Sequence, residues 1–187
     1  MIKKKILIFG SNSTLAKNIF TVGDKKFLFK KINKKKLNFD NLNASKKIIH
    51  ILSKNDFDVI LNCSGVLGDN TLKYKDIYNT NFGSNWEIAK YYLNQKKSEK
   101  KIKILFIGST AYKTGKKNYL LYSSSKAALH NLYQGAKSIL SQKKIKLLIY
   151  HPPRMKTKMI KKFSLFEKKS AINPMIVAKK IINLLSI

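Results

Sequence analysis

Cysteine is nearly missing from this chain, in which Cys63 is the single thiol. One thiol cannot form an internal disulfide or a cysteine-rich zinc site, and it fits a reducing compartment, so we expect a cytoplasmic protein. Long apolar runs are missing too. The start MIKKKILIFGSNST imitates a signal peptide, but its apolar run ends at Gly10 after about five residues, short of the roughly 7 to 15 expected. No stretch approaches the ~18 apolar residues of a membrane span, so a soluble protein is expected.

Arginine and acidic residues are scarce as well. Of the 39 basic residues, one is Arg154 and the other 38 are lysines, against nine Asp and Glu, which gives a formal net charge of +30. Such a charge is typical of nucleic-acid binding, because basic side chains neutralise phosphates. Base and phosphate recognition, however, favours the forked guanidinium of arginine. We therefore favour a solvated lysine surface, while binding of a nucleic acid or an acidic protein partner stays a second interpretation.

The apolar content is what a single core requires. The 187 residues are 44% apolar, which suits one domain over residues 1–187. Short β-rich runs lie at 5–10, 26–29, 58–65, 103–108 and 146–150. Between and after them, apolar residues at three- and four-residue steps predict helices at 13–20, 43–54, 71–95, 120–141 and 174–186. Apolar strands that alternate with helices predict an α/β fold, a doubly wound parallel sheet with helices on both faces.

The turn after the first strand is one candidate ligand site, because doubly wound sheets bind ligands beyond the carboxyl ends of their strands. The sequence GSNSTLAKNI provides a tight turn and a helix whose N-terminal amides can hold a pyrophosphate. Gly10 is present, but Thr14 and Ala16 stand where two further glycines are expected. Taken alone, the pattern fits an ordinary strand-to-helix turn equally well.

A tyrosine one helical turn before a lysine, Tyr122 and Lys126, is a second candidate site. The spacing alone is a weak signal in so lysine-rich a chain. Three other pairs share it: Tyr92/Lys96, Tyr112/Lys116 and Tyr133/Lys137. A tyrosine that protonates a carbonyl oxygen needs a second hydroxyl, at the end of a neighbouring strand, to hold that oxygen. Ser109, thirteen residues before Tyr122 and directly after KILFIG, supplies it. The same step back from the other tyrosines reaches Asn79, Glu99 and Leu120.

Four segments, in order, resemble the short-chain dehydrogenase/reductase family over nearly the whole chain. The segment Gly10 to Ala16 resembles the family's G-x-x-x-G-x-G motif with two substitutions, and NCSG at 62–65 resembles its N-N-A-G motif. NFG at 81–83 resembles the segment with the family's mid-helix asparagine, and PPRMKTKM at 152–159 resembles its P-G-x-V-x-T motif. The resemblance implies a Rossmann-type domain and an NAD(P)-dependent oxidoreductase that transfers a hydride between a nicotinamide and a carbonyl or alcohol substrate. It also implies a homodimer or homotetramer that pairs through the helices around Asn81 and Tyr122.

The resemblance further implies that Asn81, Ser109, Tyr122 and Lys126 form the catalytic set. A phenol has a reference pKa of about 10, so Tyr122 needs the neighbouring ammonium of Lys126 to stabilise its phenolate. Lys126 is also expected to bond the nicotinamide ribose, and Ser109 to hold the substrate oxygen. Asn81 is expected to anchor a water that connects Lys126 to solvent, so that the proton delivered by Tyr122 is replaced.

NADP is the expected cofactor, with NAD as the alternative. An NAD site places an acidic residue at the end of the second strand, whereas FLFKKINKKK offers none there, and Lys30 or Lys31 can face a 2′-phosphate. Asn38 or Asp40 is expected near the adenine. The full set of expected cofactor-binding residues is Gly10, Ser11, Asn12, Ser13, Thr14, Leu15, Lys30, Asn38, Asn62, Cys63, Ser64, Gly65, Tyr122, Lys126, Pro152, Met155 and Thr157.

Departures from the family pattern keep a second function open. Thr14 and Ala16 add side chains beside the expected pyrophosphate, and Pro153 replaces the glycine next to the nicotinamide. A short substrate lid is expected near residues 156–172, which suggests a small or open substrate pocket. The alternative is a catalytically weak or inactive dinucleotide-binding regulatory protein of the same fold. No metal site is expected, since the three histidines show no metal spacing and are interpreted as structural or surface residues: His50, His130 and His151.

Overall fold

Five parallel strands form one sheet in the computed structural model, which describes residues 3–39, 41, 43–54, 56–68, 73–96, 98–159 and 170–186. The strands are Lys4–Phe9 (β1), Phe27–Ile32 (β2), Val59–Asn62 (β3), Ile102–Ile107 (β4) and Ile145–Tyr150 (β5). Their order in the sheet is β2-β1-β3-β4-β5, and every neighbouring pair is parallel. The predicted doubly wound α/β fold is confirmed. A single domain over 1–187 stays a prediction, because 160–169 and both ends lie outside the described residues.

Helices cover both faces of the sheet. The helices are Thr14–Gly23 (α1), Ala44–Ser53 (α2), Tyr74–Tyr78 (α3), Ser84–Leu93 (α4), Leu120–Gln142 (α5) and Pro174–Ser186 (α6). Residues of α1 and α6 share one core with one face of the sheet, and residues of α2, α4 and α5 share a second core with the other face. Within the described residues, no helix has both the length and the apolar character that crossing a membrane requires.

The central strands are apolar without interruption because both of their faces are buried. In β1, Ile6 and Ile8 point into the core with α1 and α6, while Leu7 and Phe9 point into the core with α2, α4 and α5. All four side chains are 0% exposed. Burial of each such side chain contributes roughly 1.5–3 kcal/mol, so the four anchor the strand that leads into the candidate site.

The helix predicted at 71–95 is interrupted, which corrects the sequence-based prediction. A π-helical turn, Asn79–Gly83, lies between α3 and α4, and the amide of Ser84 bonds to the carbonyl of Asn79 across it. Such single π turns inside helices occur frequently at functional sites. Apolar periodicity could not reveal this one, because the feature that marks it is a buried polar residue, Asn81, which is 0% exposed.

Candidate active site

The turn between β1 and α1 requires a glycine at its first position. Gly10 has a φ of +69°, a conformation that residues with a side chain rarely adopt. A Cβ at Gly10 would lie 2.6 Å from the amide nitrogen and 2.7 Å from the hydroxyl oxygen of Ser64. The turns after β1 and β3 therefore touch at the carboxyl edge of the sheet, on the two strands that flank the topological switch point.

The remainder of this turn is held by hydrogen bonds and leads directly into α1. The amide of Ser11 donates to the carbonyl of Ile32 at the end of β2 over 3.1 Å. Ser13 caps α1, because its hydroxyl accepts a bond from the amide of Ala16 over 3.1 Å. Asn12 is exposed at the tip, and Thr14 is the first helical residue. Leu15 and Ala16 are buried in the core with α6, so the methyl group of Ala16 is accommodated by packing.

The loop after β3 lies against the Gly10 turn at the carboxyl edge of the sheet. Asn62, 1% exposed, donates from its amide nitrogen to Ser84 over 2.8 Å and to Asn85 over 3.0 Å. Its oxygen accepts from the amide of Ser64 over 3.0 Å, which shapes the loop. Cys63 is buried, and burial raises the pKa of its thiol to about 12, so it is inert at neutral pH. Gly65, further along this loop, is exposed.

These residues fit a dinucleotide. The hydroxyl of Ser64 is buried, touches the Gly10 turn, and is the one buried side-chain polar atom in the described residues without a hydrogen-bond partner. Buried polar groups are normally paired, because leaving one unpaired costs roughly 1–3 kcal/mol. Beside it, the N-terminus of α1 offers backbone amides and a positive dipole end, which suit a pyrophosphate.

Ser109, Tyr122 and Lys126 meet at the end of β4. Tyr122 and Lys126 lie in the first two turns of α5, with the Lys126 ammonium 5.8 Å from the centre of the Tyr122 ring. Lys126 is only 3% exposed and donates from Nζ to the carbonyl of Ile107 over 2.9 Å. Burial lowers the pKa of the Lys126 ammonium to about 8. Burial raises the pKa of the Tyr122 phenol, and a hydrogen bond with the Ser109 side chain offsets part of that rise.

Asn81 joins three elements of the site from within the π-helical turn. Its amide oxygen accepts from the backbone nitrogen of Val66 over 2.9 Å. Its amide nitrogen donates to the carbonyl of Val66 over 2.9 Å and to the hydroxyl of Ser125 over 3.1 Å. Ser125 in turn donates to the carbonyl of Tyr122 over 2.7 Å. Both amide hydrogens of Asn81 are thus used to tie the loop after β3 to the helix that carries Tyr122.

Tyr92 and Tyr133 lie away from Ser109, whereas Tyr112 ends the short 3-10 turn Thr110–Tyr112 that follows Ser109. Tyr92 lines a hollow with Ile102 and Ile145, the first residues of β4 and β5, and hence at the amino edge of the sheet. Tyr133, with the Lys137 ammonium 5.5 Å from its ring centre, packs on the same helix as Tyr122 but three turns further along. The Tyr122 phenol, in contrast, hydrogen-bonds with the Ser109 side chain.

The second strand presents its lysines before its carboxyl end. Lys30 pairs with Leu7 and Lys31 with Ile8, so Lys30 lies level with a residue three positions before Gly10. The Lys31 ammonium lies 4.2 Å from the centre of the Phe20 ring. Asn33 and Lys34 are the residues that follow the strand. Asn38 is exposed in the next loop, and Asp40, the alternative residue near the adenine, lies outside the described residues.

The segment after β5 leaves the carboxyl edge of the sheet next to β4. Pro152 is buried, Thr157 is partly buried, and Met155 forms an isolated parallel bridge with Ile172. The amide of Lys156 donates to the carbonyl of Ile172 over 2.9 Å. The two ends of the predicted lid, 156–172, are therefore hydrogen-bonded to each other. Its central part, 160–169, lies outside the described residues.

The side chains of Ser125 and His151 contact predicted catalytic residues, although sequence reasoning gave them no role in the site. Ser125 follows from no motif, since a serine in YSSSK looks like any polar helix residue, yet it is 0% exposed. His151 was interpreted as structural or surface, yet its Nδ1 lies 3.1 Å from the backbone nitrogen of Ser109. Its position directly after β5 was the available signal. No three metal-ligating side chains cluster in the part of the chain that the structure describes.

Comparison with known proteins identifies the family. Residues 6–168 match the family model described as short chain dehydrogenase. The chain therefore belongs to the short-chain dehydrogenase family, whose members in general are NAD(P)-dependent oxidoreductases. The predicted resemblance is confirmed. No curated protein sequence matches the chain.

Solved structures share the fold at low sequence identity. A short chain dehydrogenase from Burkholderia cenocepacia J2315, in complex with NADP, matches with a TM-score of 0.81 and 12% identity over 98% of this chain and 84% of that one. A short chain dehydrogenase family protein from Francisella tularensis subsp. tularensis SCHU S4 matches with a TM-score of 0.80 and 18% identity, over 98% of this chain and 91% of that one. ElxO with NADP bound matches with a TM-score of 0.81 and 21% identity, over 98% of this chain and 92% of that one.

Proposed function

We propose that the protein is an NADP-dependent short-chain dehydrogenase that interconverts a carbonyl compound and an alcohol, with Tyr122 as general acid and base. The observation that carries this proposal is the meeting of Ser109, Tyr122 and Lys126 at the carboxyl end of β4, on the same edge of the sheet as the Gly10 turn, whose surroundings fit a dinucleotide. When bound, the nicotinamide supplies the hydride for reduction or accepts it in oxidation.

Each residue has a role that its surroundings support. Ser109 donates a hydrogen bond to the substrate oxygen, and Tyr122 donates the proton that this oxygen takes up as its carbon is reduced. The phenolate left on Tyr122 is stabilised by the Lys126 ammonium one turn along α5. With a pKa of about 8, Lys126 is mostly charged at pH 7.

Asn81 acts by holding these groups in place. Its bonds to Val66 and Ser125 fix the loop after β3 against the first turns of α5. A water that replaces the proton of Tyr122 remains the expected partner of Asn81. Both amide hydrogens of the Asn81 side chain are already used. The water would therefore bond to Asn81 as a donor, to an oxygen atom of Asn81.

NADP is preferred over NAD because no carboxylate follows β2, where Asn33 and Lys34 stand instead. The solved relatives from Burkholderia and the ElxO protein, which bind NADP, support this preference. The expected cofactor contacts are the Gly10 turn with the N-terminus of α1, the 62–65 loop, and Pro152, Met155 and Thr157 after β5.

A homodimer or homotetramer is expected from the exposed apolar side chains of α4 and α5. Trp86 on α4 is 38% exposed, and Leu120 and Ile139 on α5 are 56% and 48% exposed. Burying them against a second copy would remove apolar surface from water. A monomer in sedimentation at micromolar concentration would contradict this expectation and leave the chemistry untouched.

A dinucleotide-binding protein without turnover is the second candidate. The observation in its favour is that the Lys126 ammonium is bonded to the Ile107 carbonyl and nearly fully buried. Titration of NADPH and NADH, followed by a screen of carbonyl substrates, separates the two. Binding of NADPH with turnover supports the dehydrogenase, and tight binding without turnover of any carbonyl or alcohol supports the binding protein.

A further inference from the structure

His151 lies directly behind Ser109, outside the proposed catalytic set. It follows β5, and its Nδ1 is 3.1 Å from the backbone nitrogen and 3.1 Å from the backbone oxygen of Ser109. The imidazole reaches this place because residue 108 is glycine. A Cβ at Gly108 would lie 2.3 Å from Nδ1 of His151. Gly108 and His151 are thus fitted to each other at the ends of β4 and β5.

The other nitrogen of His151 is also engaged. Its Nε2 lies 3.0 Å from Nδ1 of His130 on α5. The Tyr112 ring, in the short 3-10 turn Thr110–Tyr112, stacks on His151 with ring centres 4.1 Å apart and contacts His130 at 4.2 Å. A continuous chain of contacts runs from the Ser109 peptide through His151 to His130, and the imidazole is fixed in orientation.

The tautomer of neutral His151 determines which backbone group of Ser109 it bonds, because Nδ1 lies 3.1 Å from both the amide nitrogen and the carbonyl oxygen. In the tautomer with its proton on Nε2, His151 accepts from the Ser109 amide at Nδ1 and donates from Nε2 to Nδ1 of His130. Protonation adds a hydrogen at Nδ1. That hydrogen faces the Ser109 amide hydrogen, and the acceptor beside it is the Ser109 carbonyl, whose oxygen lies 3.1 Å from Nδ1. The two charge states therefore hold the Ser109 peptide in different ways.

We propose that neutral His151 is a positioning residue for Ser109, holding the Ser109 amide so that its hydroxyl faces the substrate oxygen, and that protonation of His151 releases this hold. The inference rests on the proposed function, in which Ser109 binds that oxygen. It predicts that kcat/KM falls on the acid side as His151 gains a proton.

Most of the groups around His151 lower its pKa. Burial lowers the pKa of His151 most, and the neighbouring His130, Lys126 and Lys113 lower it further, while the bond with the Ser109 backbone raises it. Among the described residues, Tyr112 is a further titratable group that contacts the ring. The pKa of His151 is therefore below its ordinary value of 6.5, so the neutral, positioning state prevails at pH 7.

Two substitutions separate positioning from titration. In His151→Asn the side-chain oxygen can occupy the place of Nδ1 and accept from Ser109, but it cannot take a proton in this pH range. We expect kcat/KM within about three-fold of wild type at pH 7.5 and loss of the acid limb. In His151→Leu the acceptor is gone, and kcat/KM should fall at least ten-fold at every pH. His50→Asn, at an exposed position on α2, is the matched control and should change nothing.

A measurement without turnover keeps the proposal testable if the enzyme is inactive or a variant does not fold. In amide NMR of the wild-type protein, the Ser109 resonance should shift with the same pKa as the His151 ring protons, and should not shift in His151→Asn. Three results would each overturn the proposal. The Ser109 resonance does not shift when His151 is protonated, the acid limb persists in His151→Asn, or His151→Leu is as active as wild type. Inactivity of all proteins with an intact NMR response would contradict the proposed function alone.

Discussion

Lys126 on α5 donates a 2.9 Å hydrogen bond to the carbonyl of Ile107, the last residue of β4. Ser109 follows that strand end by two residues, so this bond links the strand that presents Ser109 to the helix that presents Tyr122. The same contact buries the ammonium, which is 3% exposed. A buried cation disfavours its own charged form, and this cost makes the stability of the fold depend on pH.

Lys126→Met should alter that pH dependence. The pKa of Lys126 is about 8 in the folded protein and 10.5 as the ordinary value, so between these values the unfolded chain binds more protons. Wild-type stability should therefore rise with pH across this window, by up to roughly 3 kcal/mol from this group. The Met variant lacks the rise. In urea unfolding, its stability relative to wild type should decrease from pH 7.5 to 10.5, whereas Lys137→Met, at an exposed position on α5, should follow wild type.

Tyr122→Phe should abolish turnover and leave NADPH affinity within a few-fold, because it removes the proton donor and retains the ring. Tyr133→Phe is the matched control. It lies on the same helix, with a lysine ammonium at a similar distance from its ring, 5.5 Å against 5.8 Å. The control should keep full activity. Equal losses in both variants, measured as kcat/KM at pH 7.5, would remove the assignment of Tyr122.

The sheet was predictable because its strands are buried on both faces, and such strands are apolar without interruption. All five β-rich runs became strands, and the helix predicted at 120–141 is observed as Leu120–Gln142. The break at Asn79–Gly83 was not predictable, since apolar spacing continues through it and only the buried bonds of Asn81 distinguish it.

The candidate site was predictable only where a residue belongs to a motif. Tyr122 and Lys126 were separated from three identical pairs by Ser109, and the structure brings these three residues together. Ser125 and His151 act through contacts between elements distant in sequence, 44 residues for Asn81 and Ser125 and 42 for Ser109 and His151. No local pattern encodes such contacts, so they require the fold.

Gly10→Ala should weaken dinucleotide binding strongly. The new methyl group would lie within 2.8 Å of three atoms of the 63–64 segment, and the φ of +69° would be strained. Shifting the turn should displace the amides at the start of α1, so NADPH affinity should fall at least ten-fold, about 1.4 kcal/mol, with a lower melting temperature. Gly135→Ala, in α5 with nothing within 4 Å, should leave binding unchanged. Unaltered NADPH binding by Gly10→Ala in fluorescence titration would contradict this reading of the turn.

Charge reversal at the second strand should identify the lysine that reads a 2′-phosphate. Lys30 lies level with Leu7, roughly 10 Å before the Gly10 level at 3.3 Å per residue, whereas Lys34 stands beyond the strand end. Lys34→Asp should therefore weaken NADPH at least ten-fold and leave NADH unchanged or improved, since a carboxylate repels the phosphate but accepts bonds from a free ribose. Lys30→Asp should act less, because screening over about 8 Å reduces its effect in physiological salt. Lys96→Asp, at the amino edge of the sheet, is the control for general surface charge. If Lys30→Asp has the larger effect, the sequence-based choice of Lys30 is correct. If all three variants lower NADPH affinity equally, the lysines contribute only a general positive surface charge, and the preference for NADP has another origin.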